Sequence, residues 1–326
     1  MGPVPGQPGQ IKNVNKKEGR LMEIFKVKGA DGLELHGYQW LPTGEVKAVV
    51  QIAHGMSEHG GRYQRFAQLL NDAGYAVIAH DHRGHGLSVP EGQAPGHMAD
   101  TDPWSKALQD LYWVNRQIAA RLPGKKIILL GHSMGSFLAQ DYMAQYGDSM
   151  AAVALSATNG PPGLLVRVGQ LLAHLEKLRL GEKGHSPLIL AMVFGAYNKA
   201  FKPNRTQFDW LSRDEAEVDK YVRDPLCGFE CSVSTWIGML RALRVIATDT
   251  AFGKMDKSKA IYVFAGTDDP VGEKSKGVKR LLAAYQKHAF SAVSHRFYAG
   301  GRHEMLNETN RNEVMVDFVA WADSIV

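Results

Sequence analysis

The chain has 326 residues, 44% hydrophobic and 22% charged. That balance belongs to a globular protein able to bury a large core, and the length suits two domains or one large α/β domain with an insertion. The net charge is +5 at pH 7, yet the lysines and arginines are scattered without a long basic run. This argues against nucleic-acid binding and leaves room for attraction to an anionic membrane surface. Cys227 and Cys231 are the only cysteines, too few for a disulfide framework or a four-cysteine zinc site. Their i, i+4 spacing would put them on one helix face if that segment is helical, as two half-buried small side chains. No run reaches the roughly 18 apolar residues of a membrane span, and the N-terminus lacks a signal-peptide apolar region. The expectation is a soluble, cytoplasmic protein.

Residues 1–20, rich in Pro, Gly, Gln, Asn and Lys without apolar periodicity, read as a disordered arm or tag. Ile24 to Lys28 and Leu33 to Trp40 flank an Ala30-Asp31-Gly32 turn and read as an antiparallel hairpin. Ala48 to Ala53 and Tyr75 to Ala79 are continuous apolar strands around a helix over Arg62 to Ala73. A second helix spans Trp104 to Leu122, with a start signal at Asp102-Pro103. Ile127 to Leu130 is a strand, Ser136 to Tyr146 a helix, and Ala151 to Leu155 a further strand. Alternation of this kind predicts a doubly wound, mostly parallel sheet of about eight strands.

From Gly160 to Thr250 the alternation stops. About ninety residues are far too many for a plain connection, so they must fold as an insertion. Leu164, Val168, Leu171, Leu175 and Leu178 fall at helical spacing with Arg167, Lys177 and Arg179 among them, and Leu188 to Phe194 is an apolar run. The predicted division is a core of 21–159 and 251–326 with a helical cap over 160–250. The core pattern then resumes with strands at Ile261 to Ala265 and Val293 to Tyr298 and helices at Val278 to His288 and Glu313 to Ile325.

The chemistry centres on Gly131-His132-Ser133-Met134-Gly135. A short apolar strand enters this G-x-S-x-G turn and a helix leaves it, the context in which a serine Oγ is lifted above a parallel sheet. The glycines are needed because a Cβ at either position crowds the turn. Gly184-His185-Ser186 repeats the first three letters but has no strand before it and Pro187 after it, so it is set aside. A serine hydroxyl needs an imidazole to take its proton. Among the 13 histidines, His303 follows the last strand behind a Gly300-Gly301 turn. His288 lies in a helix and His295 in a strand, where a solvated face and sheet packing account for them. The acid is sought in the loop after the preceding strand, Gly266-Thr267-Asp268-Asp269-Pro270. Asp269 is favoured over Asp268, since a residue before proline is held extended and presents its side chain away from the turn. Two backbone donors are needed for an oxyanion. Met134 N–H, after the serine, is one. Met56 N–H is the other, in the loop from His54 and Gly55 to Gly61, and both methionine side chains are then free to line an apolar pocket. His54, His59, His80, His82 and His85 could in principle clasp zinc. Beside a polar turn after a buried strand, structural hydrogen bonding explains them better than a metal.

The segments HGMSEHGGRY, DHRGHGLS, GHSMGS, GTDDPVG and GGRHE, in this order, resemble the monoacylglycerol lipase and lysophospholipase branch of the α/β-hydrolase superfamily. The stretches 208–214 and 224–229 resemble the cap of its bacterial members. The resemblance implies Ser133 as nucleophile, Asp269 as acid, His303 as base, and Met56 with Met134 as oxyanion hole. It also implies an acyl ester substrate and neither a metal nor an organic cofactor, and the cap suggests transient contact with a membrane or micelle. One rival keeps the triad but cleaves amides, as proline iminopeptidase-like members do, and would draw on Asp214, Glu215 or Glu217 to hold a substrate ammonium. A second rival is a catalytically silent receptor.

Overall fold

A computed structural model of the chain describes residues 22–29 and 31–326; the N-terminal arm and Ala30 of the first turn lie outside them. Among the described residues eight strands form one sheet in the order β1-β2-β4-β3-β5-β6-β7-β8. The strands are β1 (Met22–Lys28), β2 (Glu34–Trp40), β3 (Val49–Ala53), β4 (Ala76–His80), β5 (Ile127–His132), β6 (Ala152–Ser156), β7 (Ala260–Gly266) and β8 (Val293–Tyr298). β1 and β2 form the expected hairpin, β2 meets β4 antiparallel, and every pairing from β4 through β3 to β8 is parallel. The physical reason is legible in the strands. β3 to β7 are near-continuous apolar runs, buried throughout except at Ala260, as a strand covered on both faces must be.

Helices cover both faces. α1 (Gln64–Asp72) and α10 (Arg311–Asp323) pack Phe66, Leu70 and Phe318 against Val50, Ile52, Leu130 and Phe264. On the opposite face α2 (Pro103–Arg121), α3 (Met134–Tyr146) and α9 (Lys276–Lys287) pack Leu111, Leu138 and Leu281 against Leu129, Val153 and Val263. Leu129 and Leu130 thus feed opposite layers, the alternation a pleated strand imposes. Buried Gln51 donates to Leu111 O and accepts from Asn115, so this polar group inside β3 is satisfied.

Between β6 and β7 stand α4 (Leu164–Leu180), α5 (Pro187–Lys199), α6 (Glu215–Arg223), α7 (Val233–Leu243) and α8 (Asp249–Lys254). This insertion has small cores of its own, one around Ala173, Ile189, Trp236 and Leu240 and another around Trp210, Leu211 and Tyr221. Ser186 is the N-cap of α5, accepting from Ile189 N and donating to Glu176, so the second Gly-His-Ser serves as a helix start. Gly96 joins insertion to core: a Cβ there would lie 2.2 Å from Glu230 O, and Ser232 N donates to Gly96 O.

Three local expectations need correction. Asp102 precedes α2 in the left-handed region at φ 48° and its carboxylate caps nothing, so Pro103 at the first turn is the part of the signal that acts. Cys227 and Cys231 share no helix face, because the chain between α6 and α7 turns at Asp224 and stays irregular up to Ser232. His295 is exposed on the edge strand β8, next to exposed Arg296, where polar side chains discourage further strand pairing.

Candidate active site

β5 ends at His132 and α3 begins at Met134, which leaves Ser133 alone at the bend with φ 51° and ψ −119°. A non-glycine residue held there stores about 1–3 kcal/mol of strain, sustained by its surroundings. Ser133 N donates to Ser156 O at the end of β6, and Ser136 N returns to Ser133 O. An added Cβ on Gly131 would sit 2.3 Å from Gly135 O, and one on Gly135 would sit 2.0 Å from Ala53 O in β3. Both obstacles are backbone and cannot swing away. Gly135→Ala is therefore expected to destabilise the fold by at least ~1–3 kcal/mol, as overpacking of a rigid contact does, and to remove ester turnover with it. The denaturation midpoint and a nitrophenyl ester assay check this.

His303 lies in the loop after β8, where Gly300 takes φ 68° to turn the chain back over the sheet. Its Nδ1 donates to Asp269 Oδ1 over 2.9 Å, with both side chains buried. Val271 N donates to the same Oδ1, a second hold on that carboxylate oxygen. Asp269 is thus the acceptor for His303, while Asp268, the alternative, gives its backbone N–H to Gly301 O. The His303 ring rests between His132 and Trp210, centroids 5.0 and 4.8 Å away. Trp210 comes from the insertion; the stretch 208–214 resembled a cap, but nothing in it singled out this residue as a partner of His303.

Ser133 and His303 open together into a cavity of about 400 Å³. The apolar wall is Met56 from the core and Leu190, Phe194, Trp210 and Phe229 from the insertion. Gly55 passes so close to the serine that a Cβ on it would lie 3.2 Å from Ser133 Cβ. Met56 lines the cavity as expected, whereas the Met134 side chain is buried in the core beneath α3 and does not reach it. Only the Met134 backbone faces the serine's end of the helix, because the first residue of an elbow helix points its side chain down onto the sheet.

Sequence reasoning missed the network that braces this site. Glu58 Oε1 accepts from Gly55 N and Tyr63 OH, and Glu58 Oε2 accepts from Arg62 Nη1 at 2.6 Å. Arg62 then forks onto Glu304, at 2.7 Å to Oε1 and 2.8 Å to Oε2. The loop beside Ser133 is thereby tied to the residue after His303. Burial alone would raise the Glu304 carboxyl, but the Arg62 guanidinium more than offsets it and holds the group well below the usual carboxylate range. The i, i+4 pair of Glu58 and Arg62 was visible in the chain; the third member lies 242 positions away from Arg62.

His54, His80, His82 and His85 are fully buried and pack against one another with tilted or edge-on rings. His54 Nδ1 donates to Gly55 O while its Nε2 accepts from His82 N, and His82 Nε2 donates to His54 O. Burial brings His80 and His85 down to about 4 and pulls His54 and His82 well below their ordinary value, so the rings are neutral struts behind Gly55. Asp81 completes the brace by accepting from Gly60 N, Leu87 N and Tyr38 OH. The acids suggested for an ammonium site are elsewhere. Asp214 caps α6 and pairs with Arg311, Glu217 pairs with Arg65 and Lys220, and Glu215 stands exposed. The carboxylates at the cavity are Glu58, Glu230 and Glu304, two of them bound by Arg62.

Serine lifted off a parallel strand beside a buried imidazole–carboxylate pair defines the class, a serine hydrolase of the α/β-hydrolase fold. The chain belongs to the Hydrolase_4 family, described as serine aminopeptidase, S33, which it matches over residues 44–310. It is similar to the monoacylglycerol lipase of Mycolicibacterium smegmatis, 29% identical over 90% of this chain and 94% of that one. It is also similar to human monoglyceride lipase, 30% identical over 66% of this chain and 64% of the relative. Among solved structures, a thermostable carboxyl esterase from Bacillus coagulans in complex with glycerol superposes with a TM-score of 0.85 at 24% identity, covering 93% of this chain and 98% of that one. The protein is a carboxylic ester hydrolase.

Proposed function

We propose that this protein hydrolyses monoacylglycerols and similar acyl monoesters, lysophospholipids among them, through an acyl-enzyme on Ser133. The observation that carries the reading is the His303–Asp269 hydrogen bond beside Ser133, at the floor of an apolar cavity. With Nδ1 committed to Asp269, His303 presents Nε2 to the serine. That nitrogen takes the Oγ proton as Oγ attacks the ester carbonyl carbon, then delivers it to the departing alcohol oxygen. A water attacks the acyl-enzyme with the roles repeated and frees the fatty acid. Asp269 holds the tautomer and stabilises the imidazolium. Gly55 N–H is engaged by Glu58, so the donor this loop offers the oxyanion is the next amide, Met56, joined by Met134 N–H at the head of α3. His54 and His132 support these two loops, and Gly55, Gly131 and Gly135 permit their close approach.

In this reading residues 160–250 form the cap, and the two faces of α5 have different work. Leu190 and Phe194 line the acyl cavity while Leu188 and Met192 are exposed. On α4, Leu171, Leu175 and Leu178 are exposed by 64%, 55% and 86%, so this stripe is not spent on packing against the core. Together these side chains form an apolar rim suited to transient contact with a membrane or micelle that holds the substrate. No helix among the described residues is long and apolar enough to cross a membrane, and a cytoplasmic enzyme peripheral to the bilayer, with no nucleic-acid partner, completes the proposal. A chain-length series of nitrophenyl esters beside monoacylglycerols tests the substrate class: monoacylglycerol should exceed short acetate esters in kcat/KM, and the reverse order would overturn it. Combined Leu171→Ser, Leu175→Ser and Leu178→Ser should reduce vesicle binding and turnover of dispersed monoacylglycerol while soluble ester turnover stays unchanged.

A further inference from the structure

His59, Asp224 and Cys227 converge outside the catalytic cavity, on the seam between the 54–61 loop and the segment joining α6 to α7. One ligand atom from each, a ring nitrogen, a carboxylate oxygen and the thiol sulfur, lie within 4.8 Å of one another. His59 Nε2 donates to Asp224 Oδ2 over 3.0 Å. We propose that these three side chains form a zinc site that staples the insertion to the loop beside the reactive serine.

The arrangement is built before any metal arrives. Asp224 Oδ1 is taken by Leu226 N, which leaves Oδ2 to face His59, and Cys227 N closes a turn onto Asp224 O. The two backbones are already laced together: Gly228 N and Tyr221 OH both donate to Ser57 O, and Ser57 Oγ donates to Phe229 O. Ordering costs are therefore met by the fold, which favours affinity. Donor type selects the metal. One nitrogen, one oxygen and one sulfur with a fourth position for water match an open tetrahedral zinc site, whereas magnesium and calcium require mainly oxygen donors. Asp224 is 29% exposed, so solvent and metal reach the site from that side. Coordination displaces the hydrogen bond between His59 and Asp224, moving the ring proton to Nδ1, and releases the Cys227 thiol proton to solvent. The carboxylate and thiolate balance the dication, and the nearby Arg62 guanidinium is already engaged by Glu58 and Glu304. None of the three ligands lines the cavity, so the inference stands independently of the substrate reading.

Cobalt(II) titration of the full chain tests it. A thiolate-to-cobalt charge-transfer band should grow to one equivalent, be bleached by zinc and be unaffected by magnesium. Cys227→Ser should abolish the band, His59→Gln should weaken cobalt binding tenfold or more, and Cys231→Ser should leave both unchanged. In the unmodified chain, zinc should raise the melting temperature and protect Cys227, but not Cys231, from alkylation mapped by mass spectrometry. Absence of the band in the folded chain, its survival in Cys227→Ser, or equal alkylation of Cys227 with and without zinc overturns the site.

Discussion

Ser133→Ala should abolish labelling by a fluorophosphonate and lower ester turnover by ~10⁶-fold, the loss expected if Ser133 is the nucleophile of a triad. On the proposed assignment His303→Ala should fall to a similar level and the double variant should be no worse, because a nucleophile and its base act as one unit and their losses do not add. Asp269→Asn costs less, ~10⁴-fold, since the amide leaves the geometry nearly intact but presents the wrong partner to His303 Nδ1. The fold should survive all three. Ser133 keeps its backbone whatever its side chain, and the His303 ring contributes two aromatic contacts to an otherwise closed core. Circular dichroism of the three variants checks that they fold. Labelling that persists in Ser133→Ala would place the nucleophile elsewhere.

The second large effect is on stability. Arg62→Met strands two buried carboxylates, Glu58 and Glu304, and should cost ~3–5 kcal/mol, the usual consequence of leaving buried charge unpaired. Arg296 provides the contrast: it bridges Glu313 and Asp317 at the surface with its own side chain 46% exposed, and Arg296→Ala should leave stability little changed. Denaturant midpoints of the two variants decide it. The pH dependence follows from Glu304. Its carboxyl is depressed in the folded state, so its contribution is fully present above the ordinary carboxylate pKa and is lost as pH falls from there through the depressed folded value. Acid should therefore weaken the parent protein over that window, and the variant should show a flatter curve. Turnover should suffer as well, because Glu58 is the acceptor that holds Gly55 N–H beside Ser133.

What was legible in the chain was local. β3 to β7 announced themselves by unbroken apolar runs, and the Gly131 to Gly135 turn by a strand before and a helix after. His303 and Asp269 were reachable because each closes a loop directly after a strand of the parallel sheet, so order along the chain translates into position above it. The choice of Asp269 over Asp268 turned on one backbone constraint at Pro270. The remainder depended on contacts between distant segments. Glu304 stood in the chain only as the residue after His303, since nothing near it in sequence signals that Arg62 will arrive. The Met134 side chain was expected in the pocket because its amide belongs there, but the helix start sends the two in opposite directions. Within the insertion helical periodicity was visible, while the faces toward the cavity were not, because several faces of these helices are apolar and only packing selects among them.

The position of α5 has a consequence for how this enzyme can be altered. Leu190 and Phe194 on one side and Leu188 and Met192 on the other belong to a single rigid rod. Any rotation that widens the acyl chamber must also reorient the outer surface, and any surface attachment that tilts the rod reshapes the chamber. If α5 serves as the proposed cap, chain-length preference and grip on a dispersed substrate would be mechanically geared to each other, and engineering one through this helix would carry the other with it.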